Sequence, residues 1–507
     1  MLNQFKFWWK TFKSTDARGV IASLAAHSGQ ISLGLSQGFS AVLIPKLLES
    51  NLTSIIEASW IASLGVISNP LGALIAGSTA ECFGRRATIA LATLPHAAGW
   101  LFIALSTNIS MLYIGRFISG IGAGMANALY LYVTEIAAPG QRAWLASCGP
   151  VLVSVGVLCS YALGALTTWQ CTAAISIAPA ILSLGLTRLI PESPAWLARK
   201  GRLPEAQESL LWLRGPGIVC DNEYRELCGV ASVEHRKDEQ VNLPAAILHP
   251  NLWKPFLILF VFFALQQMSG IYIILFYTVN VLKDIGGDID EYAVSVGIGV
   301  VRLLAAILGA ICAGHFDRTT LACTSAIGMA VSALSVTIST ARVIHTGIIP
   351  KWIPIICIGS HVGFSMIGYL TLPWVMTSEL YPLRFRGVMG GLTTGIAQIM
   401  TFTAVKTYPE INNLIGIQLV MLVFGVASIF GAIFSLTILP ETRGRSLEEI
   451  ERRFSLNFNY SCASDVKVFF VGKFGRIQDK SLRRGSDNPA FEHDEEERRK
   501  GGGDSCV

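Results

Sequence analysis

Twelve runs of apolar residues, each near the length of a membrane-crossing helix, limit what this chain can fold into more than any other feature. A bilayer core about 30 Å thick takes roughly 20 apolar residues to cross as a helix. The runs lie at 21–44, 58–79, 87–106, 111–133, 143–165 and 169–190 and, after a polar stretch, at 253–278, 292–314, 321–341, 353–377, 388–406 and 416–439. The sequence therefore predicts an all-α membrane protein with 12 transmembrane helices.

The charge content also favours a membrane protein. Charged residues make up 14% and hydrophobic residues 52% of the chain, whereas a soluble domain carries about 25% charged residues. The net charge of +5 comes from the connections between the runs, so it indicates topology and not nucleic-acid binding. The 11 cysteines include no Cys-x-x-Cys pair, which argues against a disulfide framework and a metal site.

Lysine and arginine are concentrated in alternate connections. Because cytoplasmic loops carry the excess of these residues, both termini are predicted to be cytoplasmic, with the plasma membrane as the expected location. The predicted domains are a cytoplasmic N-terminus at 1–20, a six-helix half at 21–190, a cytoplasmic linker with short amphipathic helices at 191–252, a second six-helix half at 253–439 and a largely disordered cytoplasmic tail at 440–507.

Two short motifs bear on modification and trafficking. The sequon at Asn51 falls in a predicted external connection, so glycosylation is expected there, whereas the connection around Asn108 is too short for it. In the tail, Asn488-Pro-Ala-Phe491 is a candidate turn for a trafficking adaptor, with an unconstrained tail as the alternative.

Charged motifs recur at matching places in the two predicted halves. Three acids of the first half have counterparts in the second at a nearly constant separation, and they form the pairs Glu81 and Asp317, Glu135 and Glu379, and Glu192 and Glu441. Repeated halves with a binding site between them are a transporter architecture. The chain is therefore predicted to form two pseudo-symmetric halves.

The six acids lie at predicted cytoplasmic helix ends, close to arginines. We expect ion pairs that tie the two halves together on this side and open when the carrier changes state; ordinary interfacial anchoring is the alternative. Each exposed pair is weak, on the order of 1 kcal/mol or less. The predicted gating set is Glu81, Arg85, Arg86, Glu135, Arg142, Glu192, Asp317, Arg318, Glu379, Arg384, Arg386, Glu441 and Arg443.

Over about residues 20–450 these motifs resemble those of the sugar porter family of the major facilitator superfamily. The segments that carry the resemblance are Gly77-x-x-x-Glu81-x-x-Gly84-Arg85-Arg86, Gly115-Arg116-Phe117, Tyr132-Val-Thr-Glu135, Pro191-Glu-Ser-Pro194, Gln266-Gln267-Met-Ser269-Gly270 and Pro440-Glu-Thr-Arg443-Gly444. The segment Leu370-Thr371-Leu372-Pro373-Trp374 resembles insect facilitated trehalose transporter-like members. The resemblance implies a major facilitator fold and a carrier that is not an enzyme and needs no cofactor.

A site for an uncharged sugar needs amides and hydroxyls that donate and accept, with an aromatic face for the ring. Gln266 and Gln267 are adjacent amides in an apolar helix, and Trp374 is a candidate stacking surface. Helix-to-helix hydrogen bonding and simple packing are the alternatives. The resemblance aligns four further residues with sugar-contacting positions, each departing from the usual residue: Tyr161, Tyr272, Thr371 and Gln398. The pocket is therefore not that of a standard glucose carrier.

Arg302 falls well inside the predicted eighth helix. A charge at such a depth costs at least about 2.5 kcal/mol and marks a functional candidate. It is predicted either to face the cavity, where it would favour a solute with a negative group, or to reach the interface or a helix-end carbonyl.

The sequence favours transport that is not coupled to another energy source. No acid occurs in the first predicted helix, between Ala17 and Leu48, and no nucleotide-binding Gly-rich loop is present. The expected function is facilitative uniport of a sugar such as trehalose or a hexose by alternating access. The alternatives are a carrier of another small organic solute or anion, and a nutrient sensor that does not transport.

Overall fold

The computed structural model describes residues 17–138, 141–234, 250–285, 290–346, 350, 352–382, 385–443, 450 and 454. All regular structure among these residues is helical. The predicted N-terminus before residue 17, the adaptor motif and nearly all of the tail lie outside the described residues.

The first half contains six membrane-crossing segments, called spans 1 to 6. Several consist of two helices in line. In order, the spans are Ala17–His27 with Gly29–Glu49, Ile55–Ile67 with Asn69–Cys82, Arg85–Ala104, Ile109–Met125 with Asn127–Ile136, Arg142–Leu166, and Trp169–Ile175 with Ile177–Arg188.

The described part of the linker contains three helices, and spans 7 to 12 follow. The linker helices are Pro194–Arg199, Leu203–Arg214 and Ile218–Glu234. Spans 7 to 10 are Pro250–Met268 with Ile271–Phe276 and Thr278–Ile285, then Glu291–His315, Arg318–Thr346, and Trp352–Ile367 with Leu372–Leu380. Spans 11 and 12 are the two parts of the helical stretch Arg386–Thr437.

Gly416 separates spans 11 and 12. The described residues contain 11 helical stretches long and apolar enough to cross a membrane, and the last of them, Val388–Thr437, has 50 residues. At about 1.5 Å per residue, a straight helix of this length would be more than twice as long as the bilayer is thick. Gly416 has φ 78° and ψ 160°, which turns the chain back. The result is twelve crossings, and the predicted fold class is confirmed.

Span 11 is longer than the hydropathy pattern predicts. Its apolar run ends at residue 406, but helical structure continues up to Gly416. The extra turns contain the polar residues Thr407, Glu410 and Asn412. The apolar run measures only the part in contact with lipid, and backbone hydrogen bonds continue beyond it.

The helix breaks differ between the halves. In the first half, Ser28 and Ala126 interrupt spans 1 and 4 while keeping right-handed helical dihedrals. In the second half, Gly270 breaks span 7 in the left-handed region, at φ 78°. Span 10 leaves the helix between Ile367 and Leu372. Among the described residues, the breaks that leave the right-handed helical region therefore lie in the second half.

The linker packs on the first half. The indole nitrogen of Trp196, a buried residue, donates to the carbonyl oxygen of Glu81 at 3.2 Å. Ser209 donates to the carbonyl oxygen of Glu192 at 2.6 Å, and Arg18 donates to that of Trp212 at 3.4 Å. We call this end of the bundle the linker end, and the other the opposite end.

Candidate functional site

At the linker end of the first half, Arg85 joins three carboxylates. Its guanidinium contacts Glu81 at 3.0 Å and Glu135 at 3.1 Å, and its side chain is 2% exposed. The backbone amides of Arg85 and Arg86 donate to the carboxylate of Glu192 at 2.9 and 3.0 Å. Span 3 starts at Arg85, so Glu192 caps its N-terminus, where a negative charge is stabilised by the helix dipole.

The second half repeats this device. The guanidinium of Arg318 contacts Glu379 at 3.1 Å. The backbone amides of Arg318 and Thr319 both donate to Glu441 at 3.1 Å, at the start of span 9. Thr442 donates to Glu379 at 2.6 Å. In the first half, Ser193 donates to Glu135 in the same way. The duplicated motifs of the sequence are thus duplicated contacts.

One predicted pair of corresponding residues, Glu81 and Asp317, does not hold. Arg318 of the second half corresponds to Arg85 of the first, because each starts a span and pairs with a glutamate: Glu135 for Arg85 and Glu379 for Arg318. Asp317 instead contacts Arg443, at 3.8 Å. The second half therefore lacks a counterpart of the Glu81 pair among its described residues.

No described ion pair of the linker end joins the two halves in this conformation, so the expected ties between the halves stay a prediction for the other state of the carrier. Every ion pair described at the linker end joins elements of one half or joins the first half to the linker. The reason is local: each arginine starts a span whose N-terminus is capped by the carboxylate that closes the same half. Arg384 and the side chains of Arg142 and Arg386 lie outside the described residues.

Polar contacts between the halves occur at the opposite end. The ammonium of Lys406 in span 11 donates to Ser59 at 2.6 Å and lies 4.7 Å from the centre of the Trp60 ring, both in span 2. Lys283, at the end of span 7, forms an ion pair with Glu49 of span 1. A large apolar cluster contains buried residues of both halves, among them Val405 and Leu282, the sequence neighbours of these lysines.

Spans 1, 5 and 8 add further contacts there. Lys46 donates to the carbonyl oxygens of Gly164 and Thr167 at 2.6 and 2.7 Å, and its ammonium lies 5.3 Å from the Tyr292 ring of the second half. Tyr161 donates to the carbonyl oxygen of Leu275 at 3.0 Å, across the halves. Tyr161, a predicted sugar contact, therefore uses its hydroxyl to hold span 5 against span 7.

Gln266 is also engaged in the protein. It is 0% exposed, and its amide nitrogen donates to the carbonyl oxygens of Tyr369 and Leu370 at 2.8 and 2.9 Å. Those carbonyls lie in the break of span 10, which freed them from helical bonding. Both nitrogens of His361 face backbone carbonyls, one of them that of Ser269 in the break of span 7. Side chains thus satisfy the backbone at both breaks.

Gln267 and two aromatic residues remain open to a solute. Gln267 is 5% exposed, and neither atom of its amide has a hydrogen-bond partner among the described residues. Tyr272 and Trp374 are half-buried and lie beside each other, and Trp374 packs edge-on against Phe263 with ring centres 4.9 Å apart. The unpaired amide of Gln267 can donate to and accept from a partner outside the chain, such as a solute or water.

The two remaining predicted contacts have different surroundings. Thr371 is half-buried and immediately precedes the second helix of span 10. Gln398 of span 11 faces Asn69 of span 2, with their side-chain amides 3.2 Å apart. When the Asn69 amide is turned so that its nitrogen donates to the carbonyl oxygens of Gly65 and Gly120, its oxygen faces the side-chain amide of Gln398. Gln398 therefore lies at the boundary between the halves.

Two buried arginines inside the spans have opposite surroundings. Arg116 of span 4 is 1% exposed and donates to the carbonyl oxygens of Ile61 and Ser36 and to the hydroxyl of Ser40. Arg302 of span 8 is 4% exposed and forms no hydrogen bond or ion pair with any described residue. It lies near the hydroxyls of Tyr161 and Tyr272, between the halves.

The sequence reasoning missed several polar residues of the spans. Lys46, Lys283 and Lys406 were used only to assign topology, and Asn69 and Gln30 were not selected. Gln30 of span 1 is 0% exposed with both amide atoms unpartnered among the described residues. The available signal was the cost of burying an unpaired amide within an apolar run.

Known proteins resemble this chain over most of its length. The model of the family "Sugar (and other) transporter" matches residues 4–454. The facilitated trehalose transporter Tret1 of Apis mellifera ligustica is 32% identical over 447 residues, covering 86% of this chain and 88% of that protein. Tret1 of Aedes aegypti is 30% identical over 446 residues, covering 86% of this chain and 55% of that longer protein. The solved structure of the proton:xylose symporter XylE bound to 6-bromo-6-deoxy-D-glucose has the same fold, with a TM-score of 0.71, 20% identity and coverage of 86% of this chain and 99% of that one.

Proposed function

The chain belongs to the sugar (and other) transporter family, and from this premise we propose that it carries a sugar such as trehalose or a hexose by facilitated diffusion. The orphaned amide of Gln267, close in sequence to the broken part of span 7, is the observation that carries the proposal. The amide of Gln267 has an oxygen that accepts and a nitrogen that donates, and a sugar hydroxyl can bond to either. Tyr272 and Trp374 supply the aromatic surface.

The position of the carboxylates supports uniport. Among the described spans, each acid lies near a helix end or, for Glu410, near the break at Gly416. Carboxylates at mid-depth are the usual carriers of a coupled proton in membrane transporters. The ties at the opposite end and the lack of described cross-half ties at the linker end support alternating access by rocking of the halves.

Uptake into proteoliposomes tests this function. Labelled trehalose and glucose are offered to the wild type, to Gln267→Ala and to Gln418→Ala, an amide in span 12, with and without a proton gradient. We expect saturable flux that ignores the gradient, and a KM about fivefold higher in Gln267→Ala only, since one hydrogen bond contributes about 1 kcal/mol. No flux of either sugar by folded protein would contradict the substrate assignment and favour the sensor alternative.

We also propose a plasma-membrane location with both termini in the cytoplasm. Support comes from the lysine and arginine distribution. Asn51 is exposed in the turn between spans 1 and 2, so it is the proposed glycosylation site. Treatment with a glycosidase should shift the wild-type band on a gel but not that of Asn51→Gln. A trafficking adaptor at Asn488-Pro-Ala-Phe491 would be tested by the surface level of Phe491→Ala.

A further inference from the structure

We propose that the site around Arg302 takes a sugar carrying one carboxylate, such as a uronic acid, in preference to the neutral parent sugar. The inference rests on the proposed function and specifies its substrate class. Arg302 is the twelfth of the 25 residues of span 8, so it lies halfway along the helix. It shares the buried face of that helix with Gly299, which lies against Leu158 and Tyr161 of span 5.

The contrast with Arg116 shows that Arg302 is not a structural arginine. All three side-chain nitrogens of Arg116 have partners in spans 1 and 2 at 2.6 to 3.1 Å. Arg302 is buried to nearly the same extent, yet its Nε has no partner among the described residues. A buried guanidinium nitrogen without a hydrogen-bond partner is costly. A solute that supplies the missing acceptor repays this cost when it binds.

The charge balance favours a monoanion. The described groups that interact electrostatically with Arg302 are the hydroxyls of Tyr161 and Tyr272, and tyrosine is uncharged at neutral pH. The described side chains of this site therefore carry one positive charge, that of Arg302. One carboxylate neutralises it, with the bidentate geometry that guanidinium groups prefer. A phosphate ester carries about 1.5 to 2 negative charges at pH 7, which would leave excess charge buried between the halves.

The surrounding residues account for the sugar part of such a solute. Tyr272 lies beside both Arg302 and Trp374, so it connects the cation to the aromatic surface. The site spans the boundary, because Tyr161 belongs to the first half and the other three to the second. A ligand bound there contacts both halves, as the solute of an alternating-access carrier must.

Glucuronate and glucose form a matched pair of probes, since they differ only in the group at C6. Uptake of each into proteoliposomes is measured at pH 7 for the wild type, Arg302→Gln, Arg302→Lys and the exposed control Arg188→Gln. We expect a wild-type KM at least tenfold lower for glucuronate than for glucose. In Arg302→Gln the KM for glucuronate should rise at least tenfold relative to the KM for glucose, so that the preference is lost. Arg302→Lys should keep part of it.

Membrane potential and direct binding complete the test. An inside-positive potential of about 59 mV should accumulate glucuronate about tenfold, as expected for one charge, and should leave glucose unaffected. Should Arg302→Gln fail to fold, Tyr272→Phe replaces it and should weaken uptake of glucuronate more than that of glucose. Calorimetry with purified protein measures binding of both probes in the absence of flux.

The outcomes separate the two proposals. Glucose flux without glucuronate flux, or glucuronate flux that Arg302→Gln leaves unchanged, overturns the carboxylate site and leaves the carrier intact. Glucuronate binding that depends on Arg302 without any flux supports the site and overturns the carrier. Neither binding nor flux of either probe overturns both.

Discussion

At the linker end, Arg85 and Arg318 pair with carboxylates of their own half, whereas at the opposite end Lys283 and Lys406 contact the other half. Contacts within a half hold that half rigid through a conformational change. Contacts between halves favour the state in which that end is closed. The difference indicates that the described conformation is closed at the opposite end, and that the two charged layers can be altered separately.

The largest expected effect is on the rigidity of the first half. In Arg85→Met, Glu135 loses the buried guanidinium that it shares with Glu81, and the free energy of unfolding should fall by about 3 kcal/mol. Reversible unfolding in mixed detergent, followed by circular dichroism, measures it. Arg86→Met is the control, because its side chain makes no described hydrogen bond or ion pair and its backbone amide is kept. Equal stability of the two variants would refute the role assigned to Arg85.

A second change tests the same layer through the backbone. Gly84 has φ +99°, and a Cβ there would lie 2.4 Å from an oxygen of Glu192. Gly84→Ala should therefore lower the free energy of unfolding by about 2 kcal/mol, from backbone strain and the displaced cap. In Gly185→Ala nothing lies within 4 Å of the new Cβ. The same unfolding assay should show that variant to be as stable as the wild type, and a loss there would point to a general intolerance of alanine.

Lys406→Met acts on the other layer. It removes a charged hydrogen bond and a cation–π contact, together worth about 1 to 2 kcal/mol between the halves. The population closed at the opposite end should fall about tenfold relative to the open one, with little change in unfolding. Distances between spin labels on spans 2 and 11 measure the populations. Lys406→Arg should restore the closed state; if it does not, the ammonium is not what holds the halves.

The smallest effect is expected for Lys283→Met. Its partner Glu49 is 56% exposed, and such pairs contribute about 0.5 kcal/mol, or roughly a twofold change in the same populations. A double-mutant cycle with Glu49→Gln isolates the pair from other effects of each substitution. A shift in the populations larger than that of Lys406→Met would show that the more exposed contact stabilises the closed state more than the more buried one does.

Hydropathy and repeated motifs predicted the spans, the two halves and the residues of the linker-end clusters. The direction of those contacts was not predictable, because whether Glu441 caps span 9 of its own half or reaches the first half depends on packing. The partner of Lys406 lies 347 residues away along the chain, and that of Gln266 lies 103 residues away. Periodicity contains no information on such pairs. Arg302 can be selected from the sequence, because a charged residue in the middle of an apolar run is visible there, and the structure shows that its side chain is buried.

The hydrogen bonds that hold the linker to the first half have a practical consequence for imaging. An antibody fragment directed at Leu203–Arg214 would move with that half as one body. It would add a rigid feature outside the detergent micelle without clamping the second half. Single particles could then be aligned on the first half, and the second half sorted by its angle in the presence and absence of each sugar.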